Sequence, residues 1–549
     1  MSGQLALNEQ GLQNRAAWEA AGFSLPRYDR AAMAETTRKN PVWLHFGAGN
    51  IFKAFQANAA QRLLNDGVMT AGIIAVERSD SGGKRQNYEA HDNYTLLVTL
   101  KADGSIEKTV IGSIAETRFL FSNDPAEYAR LREIFTAPSL QMVSFTITEK
   151  GYAMEDGKGQ LLPAVASDMK AAPENAESYM GKLAGLLYER FKAGAMPIAM
   201  VSMDNCSHNG DKLRAAISAF ARAWTENGLV AREFADYIES GAKVSFPWTM
   251  IDKITPSPDA NVAAALKKDG LQDMDASVTS SGTHIAPFVN AEESEYLVIE
   301  DDFPNGRPAL EKAGFLFTNR DTVNKVERMK VCVCLNPLHT ALAIYGCLLG
   351  YQKISAEMND PELLELVRRI GYQEGLPVVE HPGVIEPKAF LDTVLNVRFP
   401  NPFMPDTPQR IATDTSQKLA IRFGETVKAY IASDTLDVRN LKLIPLVFAG
   451  WLRYLMAVDD AGAAFTPSPD PMLESAAAYV SGFRLGDGVS PEDAEKRLSG
   501  ILSDSAIWGV NLVETGLSGI VRQYFTELIS GAGAVRATLK KYVTGGNAQ

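Results

Sequence analysis

The chain has 549 residues, of which 46% are hydrophobic and 22% are charged, so it is long enough for two or three globular domains with cores of their own. Its formal net charge is −12 and no basic run exceeds two residues, which argues against a nucleic-acid partner because phosphate binding needs a concentrated basic face. The longest apolar runs, such as residues 444–452, are too short to cross a bilayer, and the first residues show neither a basic segment nor a sustained apolar one, so we expect a cytoplasmic protein without a membrane span.

The first strongly patterned elements are a strand, a glycine turn and a helix. An apolar strand at 42–46 runs into Gly47-Ala-Gly49 and then into a helix-forming segment that continues to about residue 64. This is the context of a dinucleotide-binding fingerprint, in which one glycine makes the tight turn and the next lets the backbone approach a pyrophosphate at the helix N-terminus. The third glycine position holds Phe52, which departs from the pattern. We predict a cofactor turn formed by Phe46, Gly47, Ala48, Gly49, Asn50, Ile51 and Phe52.

A second predicted strand, at 72–76, ends on the carboxylate of Glu77. In a dinucleotide-binding fold a carboxylate at this place accepts hydrogen bonds from the adenosine ribose and repels a 2′-phosphate. Glu77 therefore favours NAD over NADP, although Arg78, Lys84 and Arg85 follow it closely. The alternative is an ordinary carboxylate at the end of a strand, since the interval from the glycine turn exceeds the usual one.

Short β-rich runs alternate with helical segments as far as residue 300. The clearest predicted strands are 42–46, 72–76, 94–100, 109–114, 141–148 and 197–202, and the clearest predicted helices are 126–135, 176–193 and 210–226. This alternation predicts an α/β domain with a doubly wound, mostly parallel sheet of the Rossmann type. A last strand begins near residue 295 and a turn-rich segment follows it, so we place a domain boundary near residue 310, with residues 1–40 as an N-terminal extension.

The stretch from Lys330 to His339 carries groups suited to catalysis. It places an amine at Lys330, an amide at Asn336 and an imidazole at His339 within ten residues. Hydride transfer at a carbinol carbon needs a base that removes the hydroxyl proton, and neutral donors that hold the oxygen while it carries partial negative charge. In the alternative interpretation Asn336 and Pro337 begin a helix, with Asn336 as its cap, and Lys330 is a solvated charge.

Beyond residue 310 the predicted elements are helices. Apolar positions with the helical period mark the segments 337–349, 360–374, 386–397, 411–423, 443–456, 491–503 and 516–528. We therefore predict that residues 311–549 form a mostly α-helical domain that supplies most of the chemical groups. The four cysteines, Cys206, Cys332, Cys334 and Cys347, match neither a disulfide framework nor a common closed zinc motif, so we predict no metal site.

The chain also carries a series of short polar blocks. They lie at 93–96, 146–151, 202–205 with 209–211, 246–256, 398–402 and 416–419. Together with the glycine turn at 46–56 and the stretch at 330–339, and in this order, the blocks resemble the polyol-specific long-chain dehydrogenases, the mannitol dehydrogenase family that also contains fructuronate and tagaturonate reductases. The resemblance extends from about residue 40 to about residue 520. It implies a reaction without metal, in which nicotinamide exchanges a hydride with the carbon of a secondary alcohol or ketone.

The resemblance implies that Lys330 is the general base and that Asn336 and His339 stabilise the oxyanion. The family places its lysine five residues before the asparagine, whereas the interval here is six and the expected position holds Val331. On a regular helix, at about 100° per residue, the extra residue turns Lys330 away from the face shared by Asn336 and His339. Pro337 lacks an N–H and so frees a carbonyl of the preceding turn, where a single π-helical turn would absorb one residue. We predict such a turn, or a helix start at Asn336 after an extended approach, and in either case a Lys330 amine within reach of the same oxygen as His339.

The same resemblance implies a set of substrate-binding positions. Asn205 and Asp252 match positions that hold substrate hydroxyls, and Arg398 and Asn401 match the block that closes the substrate end. Lys418 could reach the same pocket. The alternatives are a surface ion pair between Asp252 and the next lysine, and a turn cap for Asn205.

These patterns together predict an NAD-dependent dehydrogenase that acts on a CH–OH group of a small sugar acid or polyol. The first choice of substrate is D-mannonate and D-fructuronate, or the tagaturonate analogue, because Arg398 and Lys418 would bind a carboxylate. A neutral pair such as mannitol and fructose is the alternative substrate. A non-catalytic NAD-binding or regulatory module is the alternative function, and the interval between Lys330 and Asn336 is its main support.

Overall fold

The computed structural model describes residues 4–278 and 284–545. The chain forms two compact units, residues 1–101 with 105–324, and residues 102–104 with 325–549. The first unit extends to residue 324, beyond the predicted boundary near residue 310. The additional residues include the strand Leu316–Thr318, which pairs with Tyr296–Glu300 of the first unit.

The first unit is built from strands and helices in alternation. Its strands are β1 (Phe23–Ser24), β2 (Trp43–Phe46), β3 (Ile73–Ser79), β4 (Thr95–Leu100), β5 (Ile106–Ile111), β6 (Ile114–Phe121), β7 (Met142–Phe145), β8 (Ile198–Ser202), β9 (Val244–Ser245), β10 (Thr249–Asp252), β11 (Ser277–Val278), β12 (His284–Ile285), β13 (Phe288–Glu292), β14 (Tyr296–Glu300) and β15 (Leu316–Thr318). Its α-helices are Glu9–Leu12, Arg15–Ala20, Arg30–Lys39, Ala57–Asn65, Lys84–Ala90, Pro125–Thr136, Pro163–Asp168, Tyr179–Lys192, Asn209–Glu226, Arg232–Glu239 and Ala260–Lys268. Shorter 3-10 turns lie at Glu149–Tyr152, Pro173–Asn175 and Leu310–Ala313.

Six of these strands form one parallel sheet in the order β6-β3-β2-β7-β8-β9. Numbered by their own sequence order, the strands run 3-2-1-4-5-6, which is the order of the Rossmann sheet. The direction of the strand order reverses between β2 and β7, where Trp43 lies opposite Met142. The prediction of a doubly wound parallel sheet is confirmed.

The two faces of this sheet have separate cores, because successive side chains of a strand point to opposite faces. Leu44 and Phe46 of β2 pack with the helices Pro125–Thr136, Tyr179–Lys192 and Asn209–Glu226. Trp43 packs on the other face with the helix that follows the glycine turn. The sheet is therefore covered by apolar side chains on both faces, which explains why the sequences of its strands are continuous apolar runs.

The predicted strand at 109–114 is divided between two sheets. β5 pairs in antiparallel fashion with β4, in a second sheet of order β1-β5-β4-β13, whereas β6 is the edge strand of the Rossmann sheet. Gly112 lies at the break, and a Cβ there would meet the Tyr94 ring at 2.9 Å. Strand β6 is not predicted as a separate strand, because the apolar pattern of the sequence runs through the break without interruption. The remaining strands form β10-β14-β15 and the β11-β12 hairpin.

The second unit is mostly helical, as predicted. Its α-helices are Asn336–Leu349, Ile354–Glu357, Pro361–Arg369, Pro387–Thr393, Pro408–Ile411, Thr415–Leu419, Glu425–Ala432, Leu443–Tyr454, Leu473–Val480, Pro491–Leu502, Ser505–Trp508, Ser518–Leu528 and Ala534–Leu539, and Arg320–Met329 precedes them. Turns of π-helix lie at Lys330–Cys334, Ile370–Gly375, Val394–Arg398, Ala420–Gly424 and Lys540–Thr544, and 3-10 turns at Leu376–Val378 and Val438–Asn440. Every residue of Leu443–Tyr454 is buried, and this helix packs against Asn336–Leu349 and Ser518–Leu528.

One helical stretch, Arg320–Leu349, is long and apolar enough to cross a membrane by length and composition. Its most apolar window is 78% buried inside the protein. A core helix passes the same test, so this stretch is weak evidence for a membrane span.

Candidate active site

The glycine turn lies at the carboxyl end of β2, beside β7. Gly47 has a φ of +93°, and a Cβ there would lie 2.1 Å from the carbonyl oxygen of Thr146, so only glycine fits. Gly49 differs, because a Cβ there would meet nothing within 4 Å. The turn therefore leaves open space above Gly49, at the switch point where α/β sheets bind their ligands.

Phe52, at the third position of the fingerprint, is fully buried against the sheet. Its ring stacks on His45 of β2, with 4.2 Å between the ring centroids. The two His45 nitrogens lie 2.7 Å from Ser144 Oγ and 2.9 Å from Thr146 Oγ1, and burial lowers the pKa of His45 to about 3. The helix opens with a π turn at Phe52–Gln56 before it continues as Ala57–Asn65. The departure from glycine therefore changes the start of the helix and leaves the turn before it intact.

A cavity of about 350 Å³ lies over this turn. Its volume is within the range of small-molecule and cofactor sites. It is lined by Ala48, Gly49, Asn50, Lys53, Glu77, Lys84, Asn87, Tyr88, Ser257, His284, Ile285 and Ala286. Four of the predicted cofactor residues, Ala48, Gly49, Asn50 and Glu77, thus line one cavity, while Phe46 and Phe52 lie in the cores beneath it.

Glu77 is held in this cavity by two partners. Its Oε2 accepts from Lys84 Nζ at 2.8 Å, and its Oε1 lies 3.1 Å from the Tyr88 hydroxyl, which is also 3.0 Å from the carbonyl oxygen of Ala48. The Lys53 ammonium lies 5.1 Å from the centre of the Tyr88 ring, and burial lowers the pKa of this lysine. The carboxylate therefore has a cation and a hydroxyl beside it.

A buried carboxylate connects the loops that follow β7 and β8 by hydrogen bonds. Asp204 accepts from the backbone N–H groups of Ile147 at 3.0 Å and Thr148 at 2.8 Å, and from the Tyr152 hydroxyl. Burial raises the pKa of Asp204, and these hydrogen bonds oppose the rise. Thr148 has a φ of +65°, which a residue with a Cβ rarely adopts. Asp204 thus holds a strained backbone at the carboxyl edge of the sheet.

The two predicted hydroxyl-binding residues of the first unit are Asn205 and Asp252. Asn205 follows Asp204 directly and its side chain is exposed. Asp252 is the last residue of β10 and is buried. The surface ion pair with Lys253 is wrong, because the Lys253 ammonium pairs with Glu295 at 3.1 Å and donates to the Glu292 carbonyl at 2.9 Å.

In the second unit, Lys330 begins a turn of π-helix that ends at Cys334. The Leu335 N–H donates to the Lys330 carbonyl at 3.1 Å, which is the i to i+5 bond of such a turn. The predicted π turn is therefore confirmed, whereas a Lys330 amine within reach of the same oxygen as His339 stays a prediction. Lys330 is 4% exposed, so its interpretation as a solvated charge is wrong. The reading of Asn336 as a cap is wrong as well, because Asn336 is the first helical residue and no side chain caps this helix.

Asn336 and His339 lie one turn apart on the helix Asn336–Leu349 and therefore share a face. The Nε2 atom of His339 is buried, has no hydrogen-bond partner among the residues that the structure describes, and lies 3.6 Å from Asp406 Oδ2. Burial lowers the pKa of His339 to about 4, the Asp406 carboxylate opposes this, and nearby guanidinium groups add to it. The imidazole is therefore neutral at physiological pH. A neutral imidazole can donate a hydrogen bond to a substrate oxygen that carries partial negative charge.

The other predicted substrate residues also lie in the second unit. Arg398 ends the π turn Val394–Arg398 and is buried. Asn401 is buried, and its Oδ1 accepts from the backbone N–H of Phe403 at 3.0 Å. The Lys418 ammonium donates to the carbonyls of Ile411, at 3.3 Å, and Thr413. Two of its three N–H groups thus serve the backbone of a neighbouring loop.

Three residues that the geometry brings forward are absent from the predicted site. Asp204 could have been found, since it directly follows a buried strand and a polar residue at a strand end is a site signal. Asp406 carried no such signal, because it lies in a loop far along the chain from His339. Arg422 lies one turn after Lys418, and its guanidinium donates to Thr340 Oγ1 at 2.5 Å. Helical spacing from Lys418 is the only signal that pointed to it.

Comparison with known proteins gives full-length relatives. Residues 42–312 match the mannitol dehydrogenase Rossmann domain, and residues 322–519 match the mannitol dehydrogenase C-terminal domain. The chain is 50% identical over 543 residues to D-mannonate oxidoreductase of Thermotoga maritima, an alignment that covers 98% of this chain and 99% of the relative.

Two solved structures are similar over nearly their whole length. D-sorbitol dehydrogenase in substrate-free form has a TM-score of 0.75 and 26% identity, with 94% of this chain and 98% of that chain covered. The ternary complex of Pseudomonas fluorescens mannitol 2-dehydrogenase with NAD and D-mannitol has a TM-score of 0.68 and 28% identity, with 98% and 99% covered. The chain is therefore a dehydrogenase acting on CH–OH groups, and it belongs to the mannitol dehydrogenase family.

Proposed function

We propose that this protein is an NAD-dependent D-mannonate oxidoreductase, which interconverts D-mannonate and D-fructuronate. The observation that carries the reaction is the buried Nε2 of neutral His339, which lies on the helix face shared with Asn336 and forms no hydrogen bond with the residues that the structure describes. A buried polar atom without a partner in the protein is suited to a substrate oxygen. The full-length relationship to a D-mannonate oxidoreductase supports the choice of substrate.

The residues of the first unit fit a dinucleotide. Gly47 forms the turn that no other residue can form, the space above Gly49 is open, and Glu77 lines the same cavity. When bound, NAD supplies a hydride acceptor and NADH a hydride donor. Glu77 would accept from the ribose hydroxyls, and the backbone at Gly49 would meet the pyrophosphate.

The groups of the second unit would act on the substrate oxygen. In the oxidation of D-mannonate, the Lys330 amine removes the hydroxyl proton while the hydrogen on the same carbon leaves as hydride, and the C–O bond becomes a carbonyl. Asn336 and His339 donate to the oxygen while it carries partial negative charge. In the reduction of D-fructuronate the Lys330 ammonium returns the proton. Asn205, Asp252, Arg398 and Asn401 would hold the remaining oxygens of the substrate.

The π turn at Lys330–Cys334 supports a catalytic protein over a non-catalytic module. The main support for the non-catalytic module was the interval between Lys330 and Asn336, and a π turn is a place where one additional residue can be accommodated. A neutral polyol and ketose pair is the alternative substrate, and the test below distinguishes it from a sugar acid.

The test follows nicotinamide absorbance with NADH and a panel of ketouronates and neutral ketoses. We expect D-fructuronate to be the best substrate of the wild-type protein. Lys330→Ala should lower kcat by about 10²- to 10⁴-fold with little change in NADH binding, because a general base contributes about that much. Lys388→Ala is the matched control, since Lys388 is an exposed lysine that pairs with Asp392 one turn away. Faster reduction of fructose than of any ketouronate would replace the sugar acid by a polyol, and a near-active Lys330→Ala would remove Lys330 from the mechanism.

A further inference from the structure

Arg422 is a half-buried arginine that contacts the helix carrying Asn336 and His339. It lies in the π turn Ala420–Gly424, and its Nη1 donates to Thr340 Oγ1 at 2.5 Å. The Thr340 hydroxyl in turn donates to the carbonyl of Asn336 at 2.9 Å. Thr340 follows His339 directly, and it lies one turn after Asn336. The guanidinium therefore contacts the residue after His339, and its charge lowers the pKa of His339.

Arg422 differs from Arg410 and Lys418, two other cations of the second unit, in what balances its charge. Arg410 is paired with Asp406, and the Lys418 ammonium is engaged by backbone carbonyls and has Asp414 and Asp470 nearby. Within residues 4–278 and 284–545, no carboxylate forms an ion pair with Arg422, and Thr340 is its hydrogen-bond partner. At least three of its five N–H donors are thus left for another group.

Burial acts on this guanidinium without an opposing carboxylate. Burial alone lowers the pKa of Arg422 to about 10, and its charge also lowers the pKa values of His339 and Lys418. A buried charge without a counter-ion is unfavourable, and an anion that binds it recovers the lost solvation. A planar guanidinium matches a carboxylate with two parallel hydrogen bonds.

We propose that Arg422 binds the carboxylate of the sugar-acid substrate and selects a sugar acid over a neutral polyol. This inference rests on the proposed function. Arg398 and Asn401 belong to a block that also resembles dehydrogenases of neutral polyols, so they cannot by themselves distinguish an acid. Arg422 lies outside that block, its charge has no counter-ion in the described part of the chain, and its guanidinium donates to Thr340, the residue after His339.

The test compares Arg422→Gln with wild type on D-fructuronate and on D-fructose, both with NADH. Gln keeps a donor for Thr340 and removes the charge. We expect kcat/KM for fructuronate to fall at least about 100-fold, mainly through KM, because charge-assisted hydrogen bonds to a carboxylate are lost. Fructose reduction should be unchanged or faster, and added guanidinium ion should restore the reduction of fructuronate only. Arg439→Gln, at an exposed arginine paired with Asp437, is the matched control for loss of one positive charge.

The outcomes separate this inference from the proposed function. A wild-type protein that reduces fructose and no ketouronate overturns the proposed function, and the inference with it, before any variant is made. A wild-type protein that reduces fructuronate, together with an Arg422→Gln variant that loses nothing on fructuronate or loses equally on both ketoses, overturns the inference alone. If Arg422→Gln does not fold, Arg422→Lys keeps the charge without the planar fork. We expect it to show a raised KM for fructuronate alone, and an unchanged KM would overturn the role of the fork.

Discussion

The buried carboxyl group of Glu357 leads to a prediction about stability and pH. Glu357 is 0% exposed, neither carboxyl oxygen has a hydrogen-bond partner within the described residues, and a Cβ on Gly346 would lie 2.1 Å from its Oε1. Burial raises the pKa of Glu357 to about 9, and the charge of Asp360 adds to the rise. The folded protein therefore holds a proton that the unfolded chain releases above about pH 4.5.

The sign and size of the effect follow from this difference. Because the pKa of Glu357 is higher in the folded state, its stabilising contribution is complete below about pH 4.5 and is lost progressively as the pH rises toward 9. Between pH 5 and pH 8 the loss amounts to about 4 kcal/mol, at roughly 1.4 kcal/mol per pH unit. Glu357→Gln replaces the carboxyl with a neutral amide of the same shape and removes this dependence.

Thermal unfolding of wild type and Glu357→Gln at several pH values tests the reasoning. The two proteins should have similar Tm values at pH 5, and the variant should exceed wild type at pH 8 by on the order of 10 °C, the shift expected for this free energy in a unit of about 200 residues. Glu474→Gln, at an exposed glutamate, should change Tm equally at both pH values. A difference between wild type and Glu357→Gln that stays constant from pH 5 to pH 8 would refute the assignment of a protonated Glu357.

Three further predictions concern the two candidate sites. Wild type should favour NADH over NADPH by at least about tenfold in kcat/KM. Glu77→Ser should lower this ratio because it frees the Lys84 ammonium for a 2′-phosphate. An unchanged ratio would show that Glu77 does not contact the ribose. The acid limb of kcat/KM that reflects His339 should lie near pH 4 rather than near pH 6.5, and a His339→Gln variant that keeps this limb would assign it to another group. Asp204→Asn should raise the KM for NADH by about tenfold with a smaller effect on kcat, since one acceptor for the strained backbone at Thr148 is lost, and an unchanged KM would limit Asp204 to a structural role.

Much of the fold was predictable because it depends on local patterns. The strand, glycine turn and helix around Gly47 are determined by residues close in sequence, and the helix predicted at 443–456 is observed at Leu443–Tyr454. The error at 109–114 arose where two strands of different sheets are almost contiguous. Strand pairing depends on residues far apart in sequence, and the apolar pattern alone does not reveal the partner.

The candidate site was predictable in part for the same reason. Lys330, Asn336 and His339 lie on one short stretch, and the resemblance to a family supplied the interval from which the π turn could be inferred. The contact between Arg422 and Thr340 joins residues 82 positions apart, and no local pattern reports it. The sequence predicts that Arg398 and Lys418 bind the carboxylate, whereas in the folded chain the Lys418 ammonium donates two hydrogen bonds to backbone carbonyls.

The π turn at Lys330–Cys334 bears on how relatives of this chain can be recognised. A pattern that demands one fixed interval between the lysine and the asparagine would reject this sequence, although the helix after the turn continues as Asn336–Leu349. A pattern that accepts an interval of five or six residues would retain it. Proteins with a one-residue insertion at this place can therefore be grouped by the type of helical turn as well as by the spacing of their functional residues.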